Sequence, residues 1–182
     1  MSRYVAFLRA VNVGGGRTLK MDILRQIFER FGFSRVSTFI ASGNVVFETA
    51  ARNASVLEER IEKGLVEAFG YEATPFIRNG AELSRIAALN PFPKTSIGAA
   101  DELGIIFLST PPNAAVRRSL KALPSETDEL RVHGREIYWL RHRGAGGEVY
   151  STIPFDKAID QPFTVRSVRT VRKIADKYFP RG

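Results

Sequence analysis

The chain has 182 residues, 44% of them hydrophobic, with no cysteine and a formal net charge of +8. That length is enough to bury about 70% of the unfolded surface without a disulfide or metal staple, and the apolar fraction excludes wholesale disorder. The missing cysteines exclude a disulfide framework and thiolate chemistry and fit a reducing compartment. The apolar run Tyr4–Leu8, stopped by Arg9, is too short for a signal peptide or a membrane span, so a cytoplasmic protein without membrane attachment is expected.

Taken in order, Tyr4–Arg9 reads as a strand of β-forming residues. A polar, glycine-rich stretch, Asn12 to Lys20, follows. From Met21 the apolar residues Ile23, Leu24, Ile27, Phe28 and Phe31 recur at helical spacing, with Asp22 in the first turn and Gly32 as the stop. Arg35–Ile40 and Val45–Glu48 form a hairpin about Ser42, Gly43 and Asn44. Ser55 and Glu58 have capping-box spacing and open a helix through Leu57, Ile61, Leu65 and Phe69, closed by Gly70. Ala73–Arg78 is a fourth strand. Its Pro75 requires a sheet edge, which this strand occupies in a βαββαβ, ferredoxin-like unit.

The second half repeats the pattern more weakly. Asn79 and Glu82 cap a short helix ending before Pro91, and Asn90–Ala100 is a loop. Leu103–Ser109 is a continuously apolar strand, and Thr110 with proline opens a helix over Pro111–Leu123. Leu130–His133 and Glu136–Arg141 form a hairpin about Gly134, and Gly144–Gly147 is a loop. Val149–Ile159 reads as helical, Phe163–Arg166 as a last strand and Ser167–Phe179 as a final helix. The expected fold class is α+β: a ferredoxin-like unit over residues 1–79 and a similar βαββαβ(α) unit over 80–182 packed closely on it.

This topology places the loop after the first strand and the turn after the second at one end of the sheet. Arg9, Asn12, Gly14, Gly15, Gly16, Arg17 and Lys20 are thereby expected near Ser42, Gly43 and Asn44. Glycine backbone can approach a ligand closely, and arginine grips an anion with a forked donor set. The helix beginning at Met21 adds its N-terminal dipole. The competing structural account makes the glycines a turn and gives Asn44 a left-handed turn conformation. The stretch is no P-loop, because Gly14 to Lys20 lacks the Gly-Lys-Ser/Thr ending, and Leu19 stands where a dinucleotide fingerprint needs a third glycine.

Other chemistries find less support. Phe7 and Phe47 are candidates for base stacking of the RNA-recognition type, but Tyr4, Ala6 and Leu8 make both faces of the first strand apolar. Ser42 lacks a nucleophile elbow, and the two histidines, His133 and His142, have no spaced carboxylate partner, so neither metal nor cofactor is expected. The basic excess is uneven. Residues 1–116 hold 13 Lys/Arg against 11 Asp/Glu, and residues 117–182 hold 14 against 8. Arg166, Arg169 and Lys173 share a face of the final helix, a candidate polyanion surface or simply the solvated side of an amphipathic helix.

The run Phe7-Leu8-Arg9-Ala10-Val11-Asn12-Val13-Gly14-Gly15 with Met21 resembles the opening of the bacterial domain-of-unknown-function family 1697. So do Gly32-Phe33, Thr38-Phe39-Ile40 and Ser42-Gly43-Asn44-Val45-Val46-Phe47, and the late Thr164-x-Arg166 element. The resemblance implies a ferredoxin-like α+β architecture in two associated parts. It carries over Arg9, Asn12, Gly14, Gly15, Ser42, Gly43, Asn44, Thr164 and Arg166 as motif positions without an activity. Ser167 and Val168 stand where the family pattern has an Asn-Trp pair.

The leading expectation is binding, with or without turnover, of a small phosphorylated or otherwise anionic ligand by Arg9, Asn12, Gly14–Gly16, Arg17, Ser42–Asn44 and Arg166. The alternatives are nucleic-acid binding through the basic last third and a protein-interaction module.

Overall fold

The structure, a computed structural model, describes residues 1–9, 19–70, 72–94, 97–98, 101–123, 128–142 and 153–180. The expected Gly144–Gly147 loop, most of the Asn12–Lys20 stretch and the start of the expected Val149–Ile159 helix lie outside these residues. The chain folds as two compact units, Met1–Arg85 with Ile174–Gly182, and Ile86–Lys173.

In the first unit β1 (Ser2–Leu8), α1 (Met21–Arg30), β2 (Ser34–Thr38), β3 (Asn44–Thr49), α2 (Ala54–Phe69) and β4 (Pro75–Asn79) follow in order. The sheet order is β2-β3-β1-β4, with every pairing antiparallel. This is the ferredoxin-like arrangement, and Pro75 sits on an edge strand as its missing N–H demands. Alternation along the strands sends Tyr4, Ala6, Leu8, Val45, Phe47 and Ile77 toward the helices. There they meet Leu24, Ile27 and Phe28 of α1 and Leu57, Ile61 and Leu65 of α2. Phe28, Phe33 and Phe47 form the centre of this core, with the Phe33 and Phe47 rings 4.4 Å apart.

The other face of the same sheet, carrying Val5, Phe7, Asn44, Val46, Phe76 and Arg78, is buried as well. Phe7 and Phe47 therefore point to opposite faces and neither is exposed, which overturns base stacking on an open sheet. Tyr178, near the end of the chain, packs edge-on against Phe39 at 6.3 Å, and its carbonyl accepts from Arg3 Nη1.

α3 (Gly80–Ala88) follows β4, opened by a reciprocal capping box. Glu82 N–H donates to Asn79 Oδ1 and Asn79 N–H to Glu82 Oε2, both at 2.9 Å. The second unit then contains β5 (Glu102–Leu108), α4 (Ala114–Ala122), β6 (Asp128–His133), β7 (Glu136–Arg141), α5 (Phe155–Ala158), β8 (Phe163–Ser167) and α6 (Val168–Tyr178), whose last residues belong to the first unit. Its sheet order, β6-β7-β5-β8, reproduces the first. Its core joins Ile106, Leu108, Val116, Leu120, Ile137, Trp139 and Phe155, with Trp139 and Phe155 in edge contact at 4.8 Å.

Several element ends differ from the expectation, each for a local reason. α2 is capped by Asn53, whose Oδ1 accepts from Ser55 N–H at 3.0 Å, and not by Ser55. Glu58 instead accepts from Ile77 N–H at 2.8 Å, across to edge strand β4. α4 starts at Ala114 because Asn113 caps it through Val116 N–H, while Thr110 is bonded to Gln161. Among the described residues α5 is only Phe155–Ala158, since Pro154 cannot donate within a longer helix. Arg166 lies in β8, ahead of the final helix, so it does not share that helix's basic face. Gly70 closes α2 at φ +72 as expected, its N–H donating to Val66.

Phe47 touches both helices' side of the first core, so Phe47→Ala should cost about 3–5 kcal/mol in urea unfolding, the range for deleting a buried ring.

Candidate functional site at the end of the first sheet

β1 and β2 both run antiparallel to β3, so they end at the same side of the sheet. The β1–β3 ladder closes at Phe7 opposite Asn44. One residue on, Leu8 N–H donates to the Gly43 carbonyl at 2.8 Å, and Arg9 N–H donates to the Thr74 carbonyl at 2.9 Å. These two bonds hold the Arg9 backbone between the β2–β3 turn and the segment entering β4. The Arg9 side chain is exposed. Sequence reasoning placed Arg9 near Ser42, Gly43 and Asn44, and Arg9 lies one residue beyond the bond that joins Leu8 to Gly43.

The turn is built under strain. Phe39 N–H donates to the Asn44 carbonyl at 3.0 Å, enclosing Ile40, Ala41, Ser42 and Gly43. Ile40 has φ +51 and Gly43 φ +68. Glycine takes that conformation freely, but for a β-branched residue it costs about 1–3 kcal/mol. Ile40 also stays 55% exposed. Asn44 offsets this strain. Its side chain is fully buried, and Nδ2 donates to the Phe39 carbonyl at 2.9 Å and to Ser42 Oγ at 2.8 Å. Asn44 itself has ordinary strand backbone, so the left-handed role considered for it falls to Gly43 and Ile40. A hydroxyl that accepts from an amide is oriented to donate with its own hydrogen, so Asn44 sets the direction of Ser42. Asn12, Gly14, Gly15, Gly16 and Arg17 lie outside the described residues.

Arg166 stands on β8 of the second unit, opposite Ile105. It is half-buried, and desolvation pushes its guanidinium down to about 10. Its Nη1 donates to Thr164 Oγ1 and to the Val165 carbonyl, both at 2.8 Å. The first unit has a counterpart that sequence reasoning missed. Arg78, on β4 opposite Val5, is fully buried, and its Nη1 donates to the carbonyl of the preceding Ile77 at 2.8 Å. Each arginine is followed by a helix cap, Asn79 or Ser167. The shared signal, Ile77-Arg78-Asn79 beside Val165-Arg166-Ser167, is a β-branched residue, an arginine and a cap at one register.

A second cluster was also missed. His142 Nδ1 lies 2.8 Å from Asp101 Oδ2 and its Nε2 lies 3.1 Å from Glu129 Oε1. Two separate segments thus supply the carboxylate partners that local spacing did not reveal. Hydrogen bonds to Glu129 and then Asp101 raise the imidazole above its ordinary value of 6.5. Among the described residues no group of three or more acidic or histidine side chains is arranged to hold a metal ion.

Two four-stranded antiparallel sheets of identical order, each flanked by helices, define a duplicated ferredoxin-like α+β protein. The chain belongs to the family described as protein of unknown function DUF1697, whose model matches residues 1–138. The solved structure of conserved bacterial protein SP0830 from Streptococcus pneumoniae has the same fold. It superposes with a TM-score of 0.74 at 21% identity, covering 96% of this chain and 97% of that one. No curated protein matches the chain. No described helix is long and apolar enough to cross a membrane.

Removing the buried Asn44 amide leaves the half-buried Phe39 carbonyl short of a donor, so Asn44→Ala should lose about 1–3 kcal/mol by urea unfolding. For His142 the folded state binds its proton more tightly than the unfolded state. Its contribution is therefore complete below pH 6.5 and fades as pH rises through the higher folded value. Unfolding free energy measured across that window should show this decline in the parent and lack it in His142→Gln.

Proposed function

We propose that the chain binds a small anionic ligand, a phosphorylated one in the first instance, at the end of the first sheet. The observation that carries this reading is the placement of an exposed Arg9 against a strained turn that Asn44 holds in one shape. Strain that is maintained by a buried amide fits a preorganised binding surface better than a simple connection. Arg9 supplies charge, and Ser42 supplies an oriented hydroxyl. The glycines at 14–16, Asn12 and Arg17 join the reading from the sequence alone, as donors from the stretch that follows β1. We assign no reaction. A cytoplasmic setting goes with this reading, because phosphorylated metabolites are concentrated there.

The basic last third supports a polyanion surface less well. Arg166 is half-buried, Arg172 donates to the Ala87 carbonyl at 3.1 Å, and Lys177 lies over the Phe39 and Tyr178 rings. Several of its cations thus serve packing, and Val168, Val171, Ile174 and Ala175 form the buried stripe of an ordinary amphipathic helix.

The test is a thermal-shift panel of nucleotides, sugar phosphates, pyrophosphate, RNA and DNA at low and high salt. A ligand at a hundred times its dissociation constant adds about 2.7 kcal/mol, which raises the midpoint by roughly 5–10 °C. The expected result is a shift with one small phosphate that persists in salt and disappears in Arg9→Ala. A shift with oligonucleotides alone, lost in salt and in Arg169→Glu/Lys173→Glu, would transfer the assignment to α6. A flat panel would favour a protein-interaction module.

A further inference from the structure

The internal duplication lets one unit serve as the reference for the other. In the first unit α1 follows central strand β1 and precedes edge strand β2, and the space between helix and edge is filled by rings. Phe28, Phe31 and Phe33 lie 5.8 to 6.2 Å from one another, centroid to centroid. In the second unit α4 follows β5 and precedes edge strand β6 in the same way. Here the equivalent space holds no ring from α4 or β6. It is an open groove of about 600 Å³, within the range of small-ligand sites.

The groove has an apolar floor of Leu120, Leu130, Val132 and Ile153. Leu130 and Val132 face the core by strand alternation, yet both remain only partly buried. Its acidic groups already have partners. Asp128 accepts the Trp139 indole N–H at 2.6 Å, and Glu129 is bonded to Arg131 at 3.0 Å and to His142. Its remaining cations have no carboxylate partner among the described residues. Arg117 and Lys121 stand one turn apart on α4, where like charges repel. The Arg117 Nε–H donates to the Pro112 carbonyl at 3.0 Å, and neither side chain has a carboxylate partner among the described residues. The groove therefore offers an apolar floor beside two positive charges that have no carboxylate partner among the described residues.

We propose that the α4–β6 groove binds a small amphipathic anion, with an apolar body on Leu120, Leu130 and Val132 and a single carboxylate, sulfonate or phosphate head between Arg117 and Lys121. Arginine takes such a head through two parallel N–H donors and lysine as a point charge. This site is separate from the one at the end of the first sheet and does not rest on it.

The probe is 8-anilinonaphthalene-1-sulfonate, an aromatic body with one anionic head, titrated by fluorescence into the folded full chain. N-phenyl-1-naphthylamine, the same skeleton without the sulfonate, is the comparison. The expected result is saturable one-to-one binding of the sulfonate, with the uncharged amine binding at least about tenfold more weakly. Arg117→Glu/Lys121→Glu should weaken the sulfonate about tenfold or more and leave the amine unchanged. These positions are exposed, so the variant is expected to keep the parent's circular dichroism and unfolding midpoint. Val132→Phe, which places a ring on the groove floor, should weaken both dyes, and Arg9→Ala should change neither. Absence of saturable binding overturns the proposal. So does equal sulfonate affinity in the parent and the charge-reversed variant, which would mean the dye sits elsewhere.

Discussion

The end of the first sheet depends on the antiparallel pairing of β1 with its two neighbours. Because β3 and β4 flank β1, the residues just beyond Leu8 have a hydrogen-bond partner on each side. Gly43 offers its carbonyl from one and Thr74 from the other. A shift of one residue in that register would turn every side chain to the opposite face and bury what is now exposed. It would also move Arg9 away from the turn that Asn44 braces. The position of a charged group is thus a consequence of apolar alternation along β1, with Tyr4, Ala6 and Leu8 on the helix side and Val5 and Phe7 on the other.

The two units share strand order and register, including an arginine at one position of each fourth strand and a helix cap after it. They differ in how they fill the space between the first helix and the edge strand. Aromatic rings close it in the first unit, whereas branched aliphatic residues leave it open in the second. Duplicated folds diverge readily at such places, because the sheet and its hydrogen bonds survive a change in side-chain volume while the adjacent surface gains or loses a cavity. Removing a guanidinium from water is costly, wholly so for Arg78 and partly for Arg166, and the carbonyl of the preceding residue gives each of these arginines at least one fixed acceptor.

Much of this was legible in the sequence where the signal is local. Pro75 named an edge strand, the spacing of Leu24, Ile27 and Phe28 named a helix face, and Asn79 with Glu82 named a capping box, because each depends on residues within a few positions. The strand directions were legible too, since β1 and β2 both pair antiparallel with β3 and end at one side of the sheet. What escaped notice was non-local. The pairing of His142 with Asp101 and Glu129 joins three segments, and no spacing rule encodes it. The spacing of Glu58 three residues after Ser55 points to a cap, but a partner on β4 claims its carboxylate. The duplication was visible only in part, because a β-branched residue, an arginine and a cap carry little sequence identity.

The most direct test of the central claim is an amide chemical-shift map of the isotope-labelled protein titrated with pyrophosphate. The account predicts that the largest saturable shifts fall on Arg9, Ser42, Gly43 and Asn44 and leave the exposed residues of α6 unmoved. Shifts concentrated on Arg169, Lys173 and their neighbours, or no saturable shift in the first unit, would contradict it.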